Sequence, residues 1–186
     1  CGTTPEHVSA MRDMLPRYGR TLKRRVFSTK PEEGLVVSKN VPNMEADPTG
    51  LAKKLGKQFL VTVEVHPPRG FNADETLKNL KDLLTRVKVD AFNATDSPLA
   101  QGRMSAFAMS TLIQSRLGVE AILHIATRYR NLLALHSDLM GAHSLGVKNV
   151  FVFMGDPPSI GDYPQSVSFS DVTSSGLIRL IKQANS

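Results

Sequence analysis

Four apolar segments spaced about 30 residues apart constrain the fold of this sequence more than any other feature. They are Phe59–Val65, Val89–Thr95, Val119–Ala126 and Val147–Met154. Each is rich in the β-branched residues that are typical of strands. A spacing of about 30 residues is the length of one strand–helix unit. The sequence therefore predicts a succession of such units, one for each segment.

A helix-like segment follows each predicted strand. These segments are Asn72–Lys88, Ser105–Leu117, Asn131–Leu145 and Asp171–Asn185, and their apolar residues recur at helical spacing. Gly118 and Gly146 directly follow two of them, where glycine favours the end of a helix. Strands that alternate with helices predict a parallel sheet with right-handed crossovers. Both a doubly wound sheet and a (β/α)8 barrel fit this pattern.

The turn after the first strand distinguishes between these two folds. It reads His66-Pro-Pro-Arg-Gly70 and lacks the G-x-G-x-x-G of a Rossmann dinucleotide site. A complete barrel takes roughly 250 residues and eight units. We therefore predict an α/β fold that is the first half, about four βα units, of a TIM (β/α)8 barrel. On this interpretation the chain is a fragment, and its two open sheet edges favour a homo-oligomer.

The positive charge is concentrated ahead of the first predicted strand. Residues 1–58 contain eleven Lys or Arg and six Asp or Glu, whereas residues 59–186 contain twelve and eleven. A basic segment such as Arg17–Arg25 is typical of a nucleic-acid-binding protein, but also of a solvated linker. We favour a linker, or a face that packs on a missing partner domain, and expect no nucleic-acid partner, because no stacking aromatics are interleaved with the charges. Prolines and glycines without clear periodicity over Arg17–Gly50 also favour a linker.

The same leading segment carries weaker signals of local structure. Thr4 and Pro5 favour a helix start, and Pro16 favours its end. Val36–Val41 is apolar enough for a short strand, and Pro48–Leu55 predicts another helix.

The composition favours a cytoplasmic protein without a membrane partner. Cys1 is the one cysteine, so the chain cannot form an internal disulfide, which favours a reducing compartment. No apolar run approaches the roughly 20 residues that span a bilayer. The polar start, with Pro5 and Glu6, has no signal-peptide pattern.

Polar side chains stand at or near the end of every predicted strand. Glu64 lies in the first, residues 93–97 end the second, His124 lies in the third, and Asp156 follows the fourth. In barrels the catalytic groups gather at the C-terminal ends of the strands. A buried glutamate is costly unless it is paired or used. We predict a shared site at the barrel mouth, in preference to a salt bridge of Glu64 with Arg69 or another neighbour and a core histidine bonded to a carbonyl.

These residues also resemble motifs of the methylenetetrahydrofolate reductase family. The matching stretches are Glu64-Val-His-Pro-Pro-Arg69, Asn93-Ala-Thr-Asp-Ser97, His124-Ile-Ala-Thr-Arg-Tyr-Arg-Asn131, Gly155-Asp-Pro-Pro158 and Gly161-Asp-Tyr-Pro164. They follow in the family's order, and the resemblance covers about residues 55–186. Three positions depart from the family pattern, which often has Thr or Arg at Met154, Tyr at Phe169 and Asp at Tyr129.

The resemblance implies an FAD-dependent enzyme that reduces 5,10-methylenetetrahydrofolate to 5-methyltetrahydrofolate with NADH or NADPH. It places the protein in one-carbon metabolism and methionine biosynthesis. Glu64 matches the family's general acid, and Asp156 matches the acidic residue beside the flavin. The implied cofactor-binding residues are Thr95, Asp96, His124, Thr127, Met154, Gly155, Asp156, Phe169 and Ser170.

The first residues, Cys1-Gly-Thr-Thr-Pro-Glu-His7, resemble the end of homocysteine methyltransferase barrels. There Cys1 would be the second of two thiolate ligands to a catalytic zinc, whose other ligands would lie in a missing upstream domain. The two resemblances together imply a bifunctional protein. We expect a methyltransferase remnant at 1–16, a basic linker at 17–54 and the N-terminal half of the reductase barrel at 55–186.

Two other functions stay open on the sequence alone. One is a barrel that binds a ligand without chemistry, and the other is a basic nucleic-acid-binding protein. We expect the isolated chain to have little or no reductase activity, since the second half of the barrel supplies further contacts in the family.

Overall fold

The computed structural model describes residues 4–18 and 47–184, which belong to two compact units. The described part of the first unit is helix α1, Pro5–Tyr18. It begins at Pro5 as predicted, and the Thr4 carbonyl accepts the Val8 amide at 3.1 Å. The expected end near Pro16 is wrong, because the helix continues to Tyr18 and keeps the proline within its last turn. The predicted strand around Val36–Val41 lies outside the described residues.

The second unit alternates strands with helices in the predicted order. Its elements are α2 Gly50–Lys54, β1 Thr62–Val65, α3 Asp74–Leu84, β2 Ala91–Ala94, α4 Ala106–Leu117, β3 Glu120–Ala126, α5 Leu132–Ser144, β4 Asn149–Phe153 and α6 Ser174–Ala184. Short 3-10 turns follow β2, β3 and β4. All four predicted strands, the four helices that follow them and the helix predicted over Pro48–Leu55 are confirmed.

Three element boundaries differ from the prediction by three residues or more. Helix α3 ends at Leu84 rather than Lys88, and the other two differences have identifiable reasons. Strand β1 begins at Thr62 rather than Phe59. Val61 still accepts the Asp90 amide at 2.8 Å, but its own amide donates to the Asp90 side chain, so regular pairing with β2 starts one residue later. Helix α6 begins at Ser174 because Thr173 caps it, accepting the Gly176 amide at 3.1 Å. All three differences shorten an element without changing the order of elements along the chain.

The four strands form one parallel sheet in the order β1-β2-β3-β4. Strands that are consecutive in sequence are therefore neighbours in space, and the order never reverses. A doubly wound sheet has such a reversal at its switch point. When every crossover is right-handed and each new strand is added on the same side of the previous one, the helices lie on one face of the sheet. The unit is therefore an α/β fold with a parallel sheet, consistent with the predicted part of a TIM barrel.

The two faces of this sheet differ sharply in burial. The face toward the helices packs with them into the core, whose most buried large side chains are Phe92, Met109, Ile113, Leu123, Leu135 and Leu177. The opposite face would be the interior of a closed barrel. On it Glu64 pairs in register with Asn93, and His124 with Phe151. Phe151 is 53% exposed, so the described residues leave this face open.

Helix α2 closes the end of the sheet where the strands begin. Its first amides, at Gly50 and Leu51, donate to the two carboxylate oxygens of Glu120 at 2.6 and 2.9 Å. Thr49 accepts the Ala52 amide at 3.1 Å and donates to Asn149 at 2.7 Å. The start of this helix is thus tied to the first residues of β3 and β4. None of the helices within 4–18 and 47–184 is long and apolar enough to cross a membrane.

Replacing Ile113 with alanine should lower the free energy of unfolding by about 2–5 kcal/mol, because a fully buried side chain would leave a cavity. The matched control is Ile178→Ala, since Ile178 is 53% exposed on α6 and should change stability little. Urea unfolding followed by circular dichroism measures both. Equal losses in the two variants would contradict the core that we describe.

Candidate functional site

Glu64 lies on the open face of the sheet near the end of β1. Its side chain is 54% exposed, and its carboxylate lies 3.0 Å from Nε2 of His66. The expectation of a buried carboxyl is wrong, because the helices cover the other face. The alternative of a salt bridge with Arg69 or another neighbour is wrong for Arg69, which pairs with Asp162, but Glu64 does pair with its neighbour His66. Glu64 is therefore accessible to a ligand, and the imidazole of His66 is within hydrogen-bond distance of its carboxylate.

His124 lies on the same open face, on β3. Its ring packs against Phe151 and Phe153, with centroid separations of 4.8 and 6.0 Å. Partial burial lowers the pKa of His124, although the charges of Glu64 and Asp96 act in the opposite direction. His124 has no hydrogen bond to any other residue within the described ranges, so it is not a core histidine held by a carbonyl. It offers a neutral imidazole beside an apolar wall.

Asp96 is buried, and both of its carboxylate oxygens are engaged by protein groups. Oδ2 accepts the Ala126 amide at 2.9 Å and an Arg130 guanidinium nitrogen, and Oδ1 lies 3.3 Å from a second Arg130 nitrogen. Burial alone would lower the pKa of Arg130, but Asp96 and then Asp138 outweigh it and raise that pKa. Asp96 thus ties the end of β2 to the end of β3.

The two threonines at the mouth are also buried. Thr95 donates its hydroxyl to the Val65 carbonyl at 3.2 Å, which continues the β1–β2 pairing. Thr127 is 1% exposed, and its hydroxyl has no hydrogen-bond partner among the described residues. An unpaired buried hydroxyl costs about 1–3 kcal/mol. Both hydroxyls would need some local movement to reach a bound ligand.

Asp156 is held from two sides after β4. Its Oδ2 accepts the Leu99 amide at 2.8 Å, and its backbone carbonyl accepts the Tyr129 hydroxyl at 2.6 Å. Gly155 precedes it with φ +91°, and a Cβ there would lie 3.0 Å from the Cβ of Ala126. Glycine is needed for this backbone conformation and packing, whatever its distance from a ligand. The carboxylate is partly accessible and fixed in orientation.

The remaining predicted contacts lie around Arg128. This side chain donates to the Gly155 carbonyl at 3.1 Å and to Sδ of Met154 at 2.9 Å. Met154 and Phe169 are 54% and 42% exposed. Ser170 donates its hydroxyl to the Val172 carbonyl at 2.6 Å, so it serves the local turn. Within the described ranges the accessible members of the predicted site are therefore Glu64, His124, Met154, Gly155, Asp156, Phe169 and Ser170.

Tyr129 and Leu99 are neighbours of Asp156 that the sequence did not reveal. Tyr129 stood out as a departure from a pattern, with no role attached, and Leu99 contributes only its backbone amide. Burial, and then the charges of Asp156 and Asp96, raise the pKa of Tyr129. A contact across 27 or 57 positions leaves no local signal in a single sequence. Cys1, the predicted zinc remnant, lies outside the described residues, within which no cluster could hold a metal ion.

Comparison with known proteins gives one positive result. A family model described as methylenetetrahydrofolate reductase matches residues 51–186, which is more than half of the chain. The match begins inside α2 and includes every strand of the sheet. A search of curated proteins finds no match.

We expect His124 to titrate below the usual value near 6.5. A lowered pKa stabilises the fold above about pH 6.5, and this contribution is lost as the pH falls through the pKa of the folded state. Imidazole NMR signals followed against pH, with His124→Gln identifying the signal, measure this shift. A midpoint at or above 6.5 would contradict the burial that we describe.

We expect the phenol of Tyr129 to ionise above the usual value near 10. A raised pKa stabilises the fold below about pH 10, and this contribution is lost as the pH rises through the pKa of the folded state. Subtracting the phenolate absorbance of Tyr129→Phe from that of the parent chain isolates its titration curve. A midpoint at or below the usual value would contradict the burial of the hydroxyl that we describe.

Proposed function

The chain belongs to the methylenetetrahydrofolate reductase family, and we propose that its strand ends form part of an FAD-dependent active site. The reaction is the reduction of 5,10-methylenetetrahydrofolate to 5-methyltetrahydrofolate, with NADH or NADPH as the source of hydride. The observation that carries this proposal is an accessible acid and an oriented carboxylate at the same end of one sheet. Glu64 is the acid, and Asp156 is the carboxylate.

Residues at this end suit a flat, polar-edged ring system such as a flavin. Leu99, Met154 and Phe169 are 58%, 54% and 42% exposed, so their apolar side chains are available to a ligand. Ligand sites combine apolar walls of this kind with a few polar groups that fix orientation. FAD, when bound, supplies the acceptance and donation of hydride. The chain itself supplies the walls, the orientation and the proton transfer.

Glu64 would deliver a proton to the folate so that its methylene bridge opens. General acid catalysis needs a proton donor within hydrogen-bond reach of the reacting atom. Glu64 is accessible on the open face, and His66 lies 3.0 Å away, so a spent carboxylate can be reprotonated through the imidazole. The neutral ring of His124 shares this face and would pack against a bound ring.

The proposed role of Asp156 depends on the fixed position of its carboxylate. The Leu99 amide and the Tyr129 hydroxyl hold its side chain and its backbone. A negative group held near the pyrimidine edge of a flavin disfavours added negative charge on the ring and so favours hydride donation. The buried Asp96 would serve the same site indirectly, by fixing the ends of β2 and β3.

The same proposal includes the rest of the barrel and the methyltransferase fusion. Strands beyond β4 would cover the open face and complete the eight-stranded barrel. The fusion to a zinc-dependent homocysteine methyltransferase, the role in methionine biosynthesis and the cytoplasmic location accord with the motif at Cys1–His7. A ligand-binding barrel without chemistry is the second candidate, because Glu64 and Asp156 could orient a ligand without reacting.

Glu64→Gln should lower folate reduction by about 10²–10⁴-fold, because the amide cannot donate an acidic proton. Reduction of an artificial electron acceptor by the nicotinamide should stay within about twofold, since that half of the cycle needs no proton on folate. Both rates are measured on the chain together with the sequence encoded downstream of it, after FAD loading. Glu75→Gln, an exposed change on α3, is the matched control.

The first step of this experiment is a flavin absorbance spectrum with and without the downstream sequence. We expect the downstream sequence to be needed for folate reduction. Folate reduction by the isolated chain with bound flavin would overturn that expectation. A flavin-loaded protein in which Glu64→Gln changes nothing would favour the binding module over the reductase.

A further inference from the structure

The turn that follows β2 has an unusual backbone. Ser97, Leu99 and Ala100 have φ values of 46°, 57° and 52°, in the left-handed region that non-glycine residues rarely occupy. Such conformations are costly and persist only where the surrounding structure holds them. Leu99 is also 58% exposed, so burial of its side chain does not compensate for the strain. The compensation must come from contacts made by the backbone of this turn.

Asp162 makes those contacts from the loop after β4. Its Oδ2 accepts the Gly102 amide at 2.9 Å and a guanidinium nitrogen of Arg69, while its own amide donates to the Ala100 carbonyl at 3.3 Å. The neighbouring Gly161 packs so closely that a Cβ would lie 2.0 Å from the Ala100 oxygen. One residue therefore links the loops after β1, β2 and β4.

The carboxylate of Asp162 is charged at neutral pH. The Gly102 amide, and then Arg69, lower the pKa of Asp162. Arg69 is 55% exposed, so water screens its attraction. The hydrogen bond from the Gly102 amide depends more on geometry than the ion pair does, because it fixes the position at which the turn ends.

The strained turn has one consequence for the candidate site. It directs the Leu99 amide at Oδ2 of Asp156, 2.8 Å away. We propose that Asp162 is a positioning residue, which holds the turn Ser97–Ala100 so that the Leu99 amide orients the Asp156 carboxylate. Asp162 touches neither flavin nor folate in this account. The effect of Asp162 on the reaction rests on the proposed function, whereas its effect on the turn does not.

The first test needs no cofactor and uses amide hydrogen exchange in the chain itself. Asp162→Ala should speed exchange of the Leu99 amide at least tenfold, on the order of one lost hydrogen bond. The Ala126 amide is the internal control, because it donates to Asp96 in a separate cluster. An unchanged Leu99 rate would overturn the proposal. Equal acceleration of both amides would also overturn it, by showing general destabilisation.

A milder variant guards against loss of folding. Asp162→Asn keeps an oxygen for the Gly102 amide but loses the charge beside Arg69. It should therefore accelerate Leu99 exchange less than Asp162→Ala does. If the asparagine variant folds and exchanges as fast as the alanine variant, the Arg69 contact holds the turn, and the assignment to the Gly102 amide is wrong.

The second test measures the flavin midpoint potential of the loaded protein with the downstream sequence. Asp156→Asn should shift the potential, and Asp162→Ala should shift it in the same direction by a smaller amount. In the Asp156→Asn background, Asp162→Ala should add nothing, since the group that it positions is already neutral. Additive shifts would contradict positioning. No shift from Asp156→Asn, with Leu99 exchange still dependent on Asp162, would reject the proposed role of Asp156 alone.

Discussion

Every strand of this unit pairs with the strand next to it in sequence, and the structure depends on that constraint. Because each crossover is right-handed and advances in the same direction, the helices pack on one side of the sheet. The side chains on that side form the core, and those on the other side are left for the barrel interior. The same constraint brings the C-terminal ends of all four strands together. The candidate site is thus a product of strand order before any particular side chain is considered.

The polar groups at the C-terminal ends of the strands fall into two classes with different roles. Thr95 and Asp96 are buried and bond to neighbouring strands or loops, so they fix the strand ends. Glu64, His124 and Asp156 are at least partly accessible, and these are the groups that can meet a ligand. Motif similarity treats both classes alike, since each is part of the same family pattern. The structure separates residues that shape the site from residues that face into it.

Periodicity along the sequence was sufficient for the order of strands and helices. The main error concerned Glu64, whose burial was expected from its place at the mouth of a barrel. Alternation shows that two faces exist, but it does not show which face another layer covers. The second limit concerns contacts that span 60 or 93 positions, such as those of Asp162 with Gly102 and Arg69. Those contacts depend on how loops meet once the sheet has formed, and no local pattern encodes them.

The hydrogen bonds from the first amides of α2 to Glu120 affect how the domain assembles during synthesis. Gly50 and Leu51 leave the ribosome some 70 positions before the carboxylate that binds their amides. Translation proceeds at about 5–20 residues per second, so this helix waits for seconds without its partner. A helix of five residues is too short to persist alone in water. Helix α2 is therefore completed late, after β3 has joined the sheet, and until then it is open to proteases on the nascent chain.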